Sequence, residues 1–185
     1  SHETWDLQDL PPGKKAIGCR WLFKVKKNAD GSINKYKARL CAQGFTQTHG
    51  VDFNETFAPV ARMTSIRSML SIAAIKDLEV QQFDIDTAFL YGKIDEDIYM
   101  KQPSGYVDEA NPYKVCKLKK SLYGTKQAAR QWNEALDRHM VGQGFKISTA
   151  DPCIYYIIND QVVAVYVDDI IMISKSMKEV EEFKF

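Results

Sequence analysis

QVVAVYVDDIIMIS, residues 161–174, decides the architecture of this chain. Two short apolar runs, Val162–Val165 and Ile170–Ile173, read as strands, from Gln161 to Val167 and from Ile170 to Ser174. They are joined through Tyr166-Val167-Asp168-Asp169, and Asp-Asp makes a poor hairpin tip. A tight turn wants left-handed residues such as Gly or Asn, and here two like charges sit side by side. Ringed by apolar strands, these carboxylates are expected to repel each other and lose hydration. A hard divalent ion held by oxygen ligands resolves that conflict. A polar tip open to water is the plainer alternative. Just upstream, Cys153–Ile158 reads as a further strand, turning into the hairpin through Asn159-Asp160.

A second acidic stretch lies well upstream. In Gln82-Phe83-Asp84-Ile85-Asp86-Thr87-Ala88-Phe89 the acids alternate with apolar residues. In a strand from Val80 to Asp86, Asp84 and Asp86 therefore leave the same face. Pairing beside the 161–174 hairpin brings one of them to Asp168 across the sheet, and periodicity does not choose which. Three carboxylates so gathered suit two magnesium ions and phosphoryl transfer, with water and substrate phosphate completing the coordination.

The opposite charge is concentrated near the start. Between Lys14 and Arg39 stand nine cations (Lys14, Lys15, Arg20, Lys24, Lys26, Lys27, Lys35, Lys37, Arg39) and one acid, Asp30, in a chain whose net charge is only +1. After Pro11-Pro12-Gly13, Ile17–Lys27 and Ile33–Gln43 read as strands joined by Asn28-Ala29-Asp30-Gly31. Arg20, Lys24 and Lys26 share one face of the first strand, and Trp21, Phe23 and Val25 the other. Lys35, Lys37 and Arg39 share one face of the second, and Tyr36, Ala38, Leu40 and Ala42 the other. A solvated face is the plain reading. Solvated faces usually mix signs, however, and this one hardly does, which points to polyphosphate or nucleic acid.

The remaining pattern completes an α+β chain. Thr64 is a candidate N-cap for a helix with Ile66, Met69, Leu70, Ala73 and Ala74 on one stripe, closed by Leu78. A second helix spans Lys126–Val141, with Ala129, Trp132, Leu136 and Met140 inward and Gly142 and Gly144 ending it. From Ser176, another stripe of Met177, Val180 and Phe183 begins and is cut short, as expected of a piece of something longer. The expected fold is an antiparallel sheet with helices packed on one face. At 185 residues, 45% hydrophobic and 26% charged, the chain is globular rather than disordered or fibrous. No apolar stretch approaches membrane-helix length. Cys19, Cys41, Cys116 and Cys153 lack metal or redox spacing and read as reduced, mostly buried thiols of an intracellular protein. His2, His49 and His139 are too scattered for a histidine metal site.

With Phe83-Asp84-Ile85-x-Thr87-Ala88-Phe89-Leu90 and Tyr166-Val167-Asp168-Asp169, the chain resembles the palm motifs of reverse transcriptases, above all those of copia-type (pseudoviral) LTR retrotransposons. CRWLFKVKKNADGSINKYKARLCAQGFTQ (19–47), ETFAPVARMTSIR (55–67), SLYGTKQAARQW (121–132) and ADPCIYY (150–156) carry the resemblance along nearly the whole chain in the family's order.

The resemblance implies a right-hand polymerase with fingers at about 1–80. The palm follows at 81–185, with a fingers-type insertion around 92–125. Thumb and RNase H are expected beyond these residues, within a pol polyprotein that also carries an integrase. It implies Asp84, Asp168 and Asp169 as catalytic acids holding two Mg2+ ions, with Mn2+ as a substitute and the Ile85 backbone carbonyl assisting. Asp86 becomes a bystander. It further implies that Lys37, Arg39, Phe89, Tyr123 and Val167 meet the incoming dNTP, Phe89 closing against a ribose 2′-hydroxyl, with Lys24 or Lys26 sharing the triphosphate. Tyr166, Gly124 and Lys126 are implied to meet an RNA or DNA template–primer, in a segment also carrying Lys114, Lys117, Lys119 and Lys120. Thr125 and Ala129 depart from the leucine and proline usual at that helix entry. The implied setting is a cytoplasmic virus-like particle, with nuclear import as a further step and no membrane. A nucleic-acid-binding remnant without chemistry, a metal-dependent nuclease and an RNA-directed RNA polymerase are the alternatives.

Overall fold

The computed structural model describes residues 3–158 and 161–183, so the expected Asn159-Asp160 turn lies outside the described residues. The strands and helices run in the order β1 (Trp5–Gln8), β2 (Ala16–Ile17), β3 (Cys19–Lys27), β4 (Ile33–Ala42), α1 (Met63–Ile75), β5 (Glu79–Asp84), β6 (Tyr99–Met100), β7 (Val115–Leu118) and α2 (Ala128–Gly142). There follow β8 (Lys146–Ile147), β9 (Ile154–Ile157), β10 (Gln161–Tyr166), β11 (Asp169–Ser174) and α3 (Met177–Glu182). The chain divides into two compact units, Ser1–Thr56 with Phe89–Trp132 and Phe57–Ala88 with Asn133–Phe185. The mixed α/β character expected from the sequence is present in both its strands and its few helices.

The first unit holds a four-stranded sheet of order β1-β7-β6-β2, antiparallel except where β2 runs parallel to β6. Ile17, Ile98, Met100, Cys116, Leu118 and Leu122 form its core. β2 and β6 are two residues each, too short to leave any periodic trace in the sequence, and this sheet was not anticipated. The β3–β4 hairpin forms as expected. Its register sets Lys24 opposite Lys37, Lys26 opposite Lys35 and Leu22 opposite Arg39. Directly opposed residues share a face, so the two cationic stripes merge into one.

In the second unit five antiparallel strands run in the order β5-β11-β10-β9-β8. Ile154, Ala164 and Ile171 pack with Ile66 and Met69 of α1. On the alternate face Tyr155, Val163, Ile170 and Met172 are buried, and the Tyr155 hydroxyl bonds Asp137 of α2. Helices therefore cover both faces, not one as expected. The reason lies in the sequence of β10 and β11: both strands are apolar at consecutive positions, so neither face tolerates water.

The helix ends also differ from expectation. α1 starts at Met63 with Arg62 as N-cap, and Thr64 lies inside it. No local side chain caps the helix. Asp151, far along the chain and 2% exposed, accepts from the Arg62 N–H (2.9 Å), the Ser65 hydroxyl (2.7 Å) and the Cys153 N–H (3.0 Å). Burial pushes the Asp151 carboxyl up, but these donors and the Arg62 charge outweigh it and hold the group below its ordinary value. α2 begins at Ala128 rather than Lys126. Its end is as expected: Gly144 is left-handed (φ +90°) and the Phe145 N–H reaches back to the Met140 carbonyl. Ser176 caps α3, accepting from the Glu179 N–H.

Candidate active site

The acidic corner belongs to the second unit. β11 pairs with β5 so that Asp169 stands directly opposite Asp84, and the ladder is continued by the Ile85 N–H donating to the Asp168 carbonyl (2.9 Å). Asp84 is thus brought, across more than eighty residues of chain, to the strand end that carries Asp168 and Asp169. β5 stops at Asp84, and Thr87 then takes a left-handed φ of +59°, so Asp86 leaves the sheet. That corrects the expectation that Asp84 and Asp86 share a strand face, and it makes the choice that periodicity could not. The direct cross-strand partner of Asp84 is Asp169, not Asp168 as expected.

The turn itself is Val167-Asp168, because Tyr166 and Asp169 are already a cross-strand pair. Val167 has φ +60°, a conformation that costs a β-branched residue about 1–3 kcal/mol. Asp84, Asp169, Tyr166 and Val167 are exposed and Asp168 is half-buried, so the acids keep their water, contrary to the expectation of lost hydration. One Asp169 carboxylate oxygen accepts from the Gln82 amide at 3.1 Å. Among the described residues, no three His, Cys, Asp or Glu side chains stand in a group that would hold a metal ion, and no ion pair involves these acids. The donors are nevertheless of the right kind. They are hard carboxylate oxygens, and the two exposed acids, Asp84 and Asp169, are opposed across one ladder.

The candidates for meeting a nucleotide other than Val167 belong to the first unit, where the structure gathers Arg39, Tyr123 and Phe89. The Arg39 guanidinium carbon lies 5.1 Å from the centre of the Tyr123 ring, and Phe89 meets the same ring edge-on at 4.9 Å. Lys37 is half-buried on the Arg39 face of the hairpin, two residues away. Tyr123 is held by its backbone: its carbonyl accepts from the Ala42 N–H (2.7 Å) and the Gly124 carbonyl from the Gly44 N–H (3.1 Å). A Cβ on Gly124 would meet the Ala42 carbonyl oxygen at 2.2 Å, and its φ is +90°. Gly124 thus acts by letting two backbones touch, which places Tyr123.

Two residues escaped the sequence reading. Buried Gln47 and Gln127 bond each other (3.1 Å), and Gln127 also reaches the Asp52 carbonyl and Glu96. Gln47 accepts from the Lys126 N–H at 2.8 Å. Glutamine carries no charge pattern, and the one available signal was its place inside the 19–47 and 121–132 stretches. Lys126 itself is exposed. Of the other lysines, Lys117 pairs with Asp97 (2.7 Å) and Lys119 with Asp6 (2.9 Å), which raises both above the ordinary lysine value, hydrogen bonding foremost. The four cysteines are free thiols. Cys116 and Cys153 are buried, with burial pushing each thiol up to about 11, while Cys19 and Cys41 are only half-buried.

The chain belongs to the reverse transcriptase (RNA-dependent DNA polymerase) family, whose sequence profile it matches over residues 2–185. It is similar to copia-type transposon proteins. It is 45% identical over 185 residues to the retrovirus-related Pol polyprotein from transposon TNT 1-94 of Nicotiana tabacum, covering 98% of this chain and 14% of that protein. To the Pol polyprotein from transposon RE1 of Arabidopsis thaliana it is 44% identical over 175 residues, 92% of this chain and 12% of that protein. To the Transposon Ty1-DR4 Gag-Pol polyprotein of Saccharomyces cerevisiae it is 33% identical over 184 residues, 95% and 10%. The chain therefore spans about a seventh or less of these relatives. No helix among the described residues is long and apolar enough to cross a membrane.

Proposed function

We propose that the chain carries the nucleotide-adding centre of a retrotransposon polymerase, extending a primer on an RNA or DNA template with deoxynucleoside triphosphates. The observation that supports this most directly is the placement of Asp84 opposite Asp169, with Ile85 bonded to Asp168 at the next rung. When bound, two Mg2+ ions on Asp84, Asp168 and Asp169, with Mn2+ as a substitute, supply activation of the primer 3′-hydroxyl and charge neutralisation at the departing pyrophosphate. Gln82 fixes one Asp169 oxygen and leaves the others free for that task.

Arg39 and Lys37 grip the triphosphate, and the Tyr123 ring beneath Arg39 restricts its guanidinium so that little side-chain freedom remains to be lost on binding. Phe89, edge-on to Tyr123, presents an aromatic wall that leaves no room for a 2′-hydroxyl. Val167 and Tyr166, exposed at the strained tip, meet the primer end, and Lys126 meets the template backbone. The partners are the template–primer, dNTPs and the other parts of a Pol polyprotein.

The test is primer extension of oligo(dT) on poly(rA) with dTTP, the chain being carried in a full-length Pol polyprotein like those of its relatives. Asp84→Asn and Asp168→Asn are expected to lower extension by orders of magnitude while Asp86→Asn retains it. Wild-type extension by Asp84→Asn rules the proposal out.

A further inference from the structure

A cavity of about 570 Å³ in the first unit has no part in the chemistry proposed above. Lys14 and Lys15 ahead of β2, Lys101 after β6 and Lys114 before β7 line it, with Tyr113 and no acid among its lining residues. The contrast with β7 is informative. Lys117 and Lys119 each hold an aspartate, whereas none of the four lining lysines has an ion pair among the described residues. The acids whose charge couples to them are already engaged: Asp97 with Lys117, and Asp108 with the Asn111 amide and the Ala110 N–H. Four lining cations thus face two acids that attract them from outside the lining, an excess of positive charge suited to an anion.

The wall is built rather than loose. The Gln102 amide donates to the Asn111 and Lys114 carbonyls (both 2.9 Å) and its oxygen accepts from the Asp108 N–H (2.8 Å), so one side chain pins the 102–114 loop. The Lys101 N–H is fixed on the Ile17 carbonyl (2.9 Å) and the Lys14 N–H on the Pro11 carbonyl (3.1 Å). Tyr113 is 95% exposed, a ring with both faces open.

We propose that this lysine-lined cavity is a second nucleic-acid site, which takes the phosphodiester backbone of a single strand while Tyr113 stacks on one of its bases. A duplex offers no free base face to stack. A free nucleotide would want its base enclosed, and here the ring stands in the open at the rim. Cations tracking phosphates beside an exposed aromatic are the common means of holding single strands without reading their sequence. The site stands whether or not the acidic corner polymerises.

Fluorescence anisotropy of labelled dT12 and rU12 with the 185-residue chain tests it. Lys14→Glu/Lys114→Glu is expected to weaken both oligonucleotides at least ten-fold and to flatten the log–log salt slope by about 1.4, from two lost phosphate contacts. Tyr113→Ala should weaken binding by about ten-fold with the salt slope unchanged, and Tyr113→Phe should restore it. Lys35→Glu/Lys37→Glu, on the hairpin, should add its own loss independently. Unchanged affinity and slope in Lys14→Glu/Lys114→Glu overturns the proposal, as does displacement of dT12 by equimolar dTMP. Near-ultraviolet circular dichroism confirms folding of each variant. Binding is read in EDTA without dNTP, where no primer can be extended, so failure of the polymerase reading is read separately.

Discussion

Two strand pairs concentrate opposite charges in this protein, and both oppose like with like. In β5–β11 an aspartate faces an aspartate, and in β3–β4 lysines face lysines twice. Their settings differ. β11 is a central strand of five, with Ile170 and Met172 fully buried beside the acids. β3–β4 stands as a sheet of two strands, with Phe23 77% and Tyr36 75% exposed on its apolar face. The acidic corner is thus positioned by a core and changes little when its charges change. The basic hairpin is anchored at its base through Cys19, Leu40 and Ala42, while its outer half rests on its turn and its own pairing, so charge has more leverage there.

The largest effect should come from the rigid side. Asp84→Asn keeps size and register but removes one anionic donor, so nucleotide addition should fall on the order of 10²–10³-fold with the urea midpoint barely moved. A large stability change instead would show that the acid serves the fold, and the comparison would fail. Asp86→Asn, off the strand, should leave rate and stability nearly alone.

Gly124→Ala attacks the placement of the arginine–tyrosine cluster. The new Cβ collides with the Ala42 carbonyl in a left-handed conformation, so a loss of about 2–4 kcal/mol is expected, together with a raised KM for dNTP. A variant as stable as the wild type would mean that the Tyr123–Gly124 segment does not need its present path.

Asp151→Asn tests the long-range cap of α1. It should cost about 2 kcal/mol at pH 7, measured by urea unfolding. The pH dependence has a definite sign. The folded carboxyl is held below its unfolded value near 4, so its contribution is whole above that value and fades as pH falls through the lower, folded one. The wild type should therefore lose its advantage over Asp151→Asn below about pH 4, and a difference independent of pH would remove the charge from the explanation.

These variants also mark what was legible in the sequence. The β3–β4 and β10–β11 hairpins, α1 and α2 showed through as periodicity, and the meeting of the acids followed from two apolar runs and one alternating stretch. The cap of α1 did not, because Asp151 acts across 89 positions of chain and leaves no local signature near Thr64. Nor did the stop of β5 at Asp84. Thr87 takes up a left-handed conformation that pattern reading reserves for glycine or asparagine, and only the fold compels it. The one-face expectation for the large sheet missed what Val162–Val165 and Ile170–Ile173 imply, since unbroken apolar runs mean two dry faces.

The smallest effect sharpens the other side of the comparison. Lys24→Glu turns a repelling cross-strand pair with Lys37 into an attractive one, on the outer half of the hairpin beyond its anchored base. Stability should rise by about 0.2–1 kcal/mol, and the gain should shrink at 1 M salt because the pair is open to water. The same change brings a carboxylate to Lys37, so dNTP binding should weaken even as the fold tightens. Thermal unfolding at two salt concentrations and the KM for dTTP read the two effects independently. If Lys24→Glu loses stability, repulsion between the strands is not what limits this hairpin. If it gains stability with KM unchanged, Lys37 is not part of the triphosphate grip.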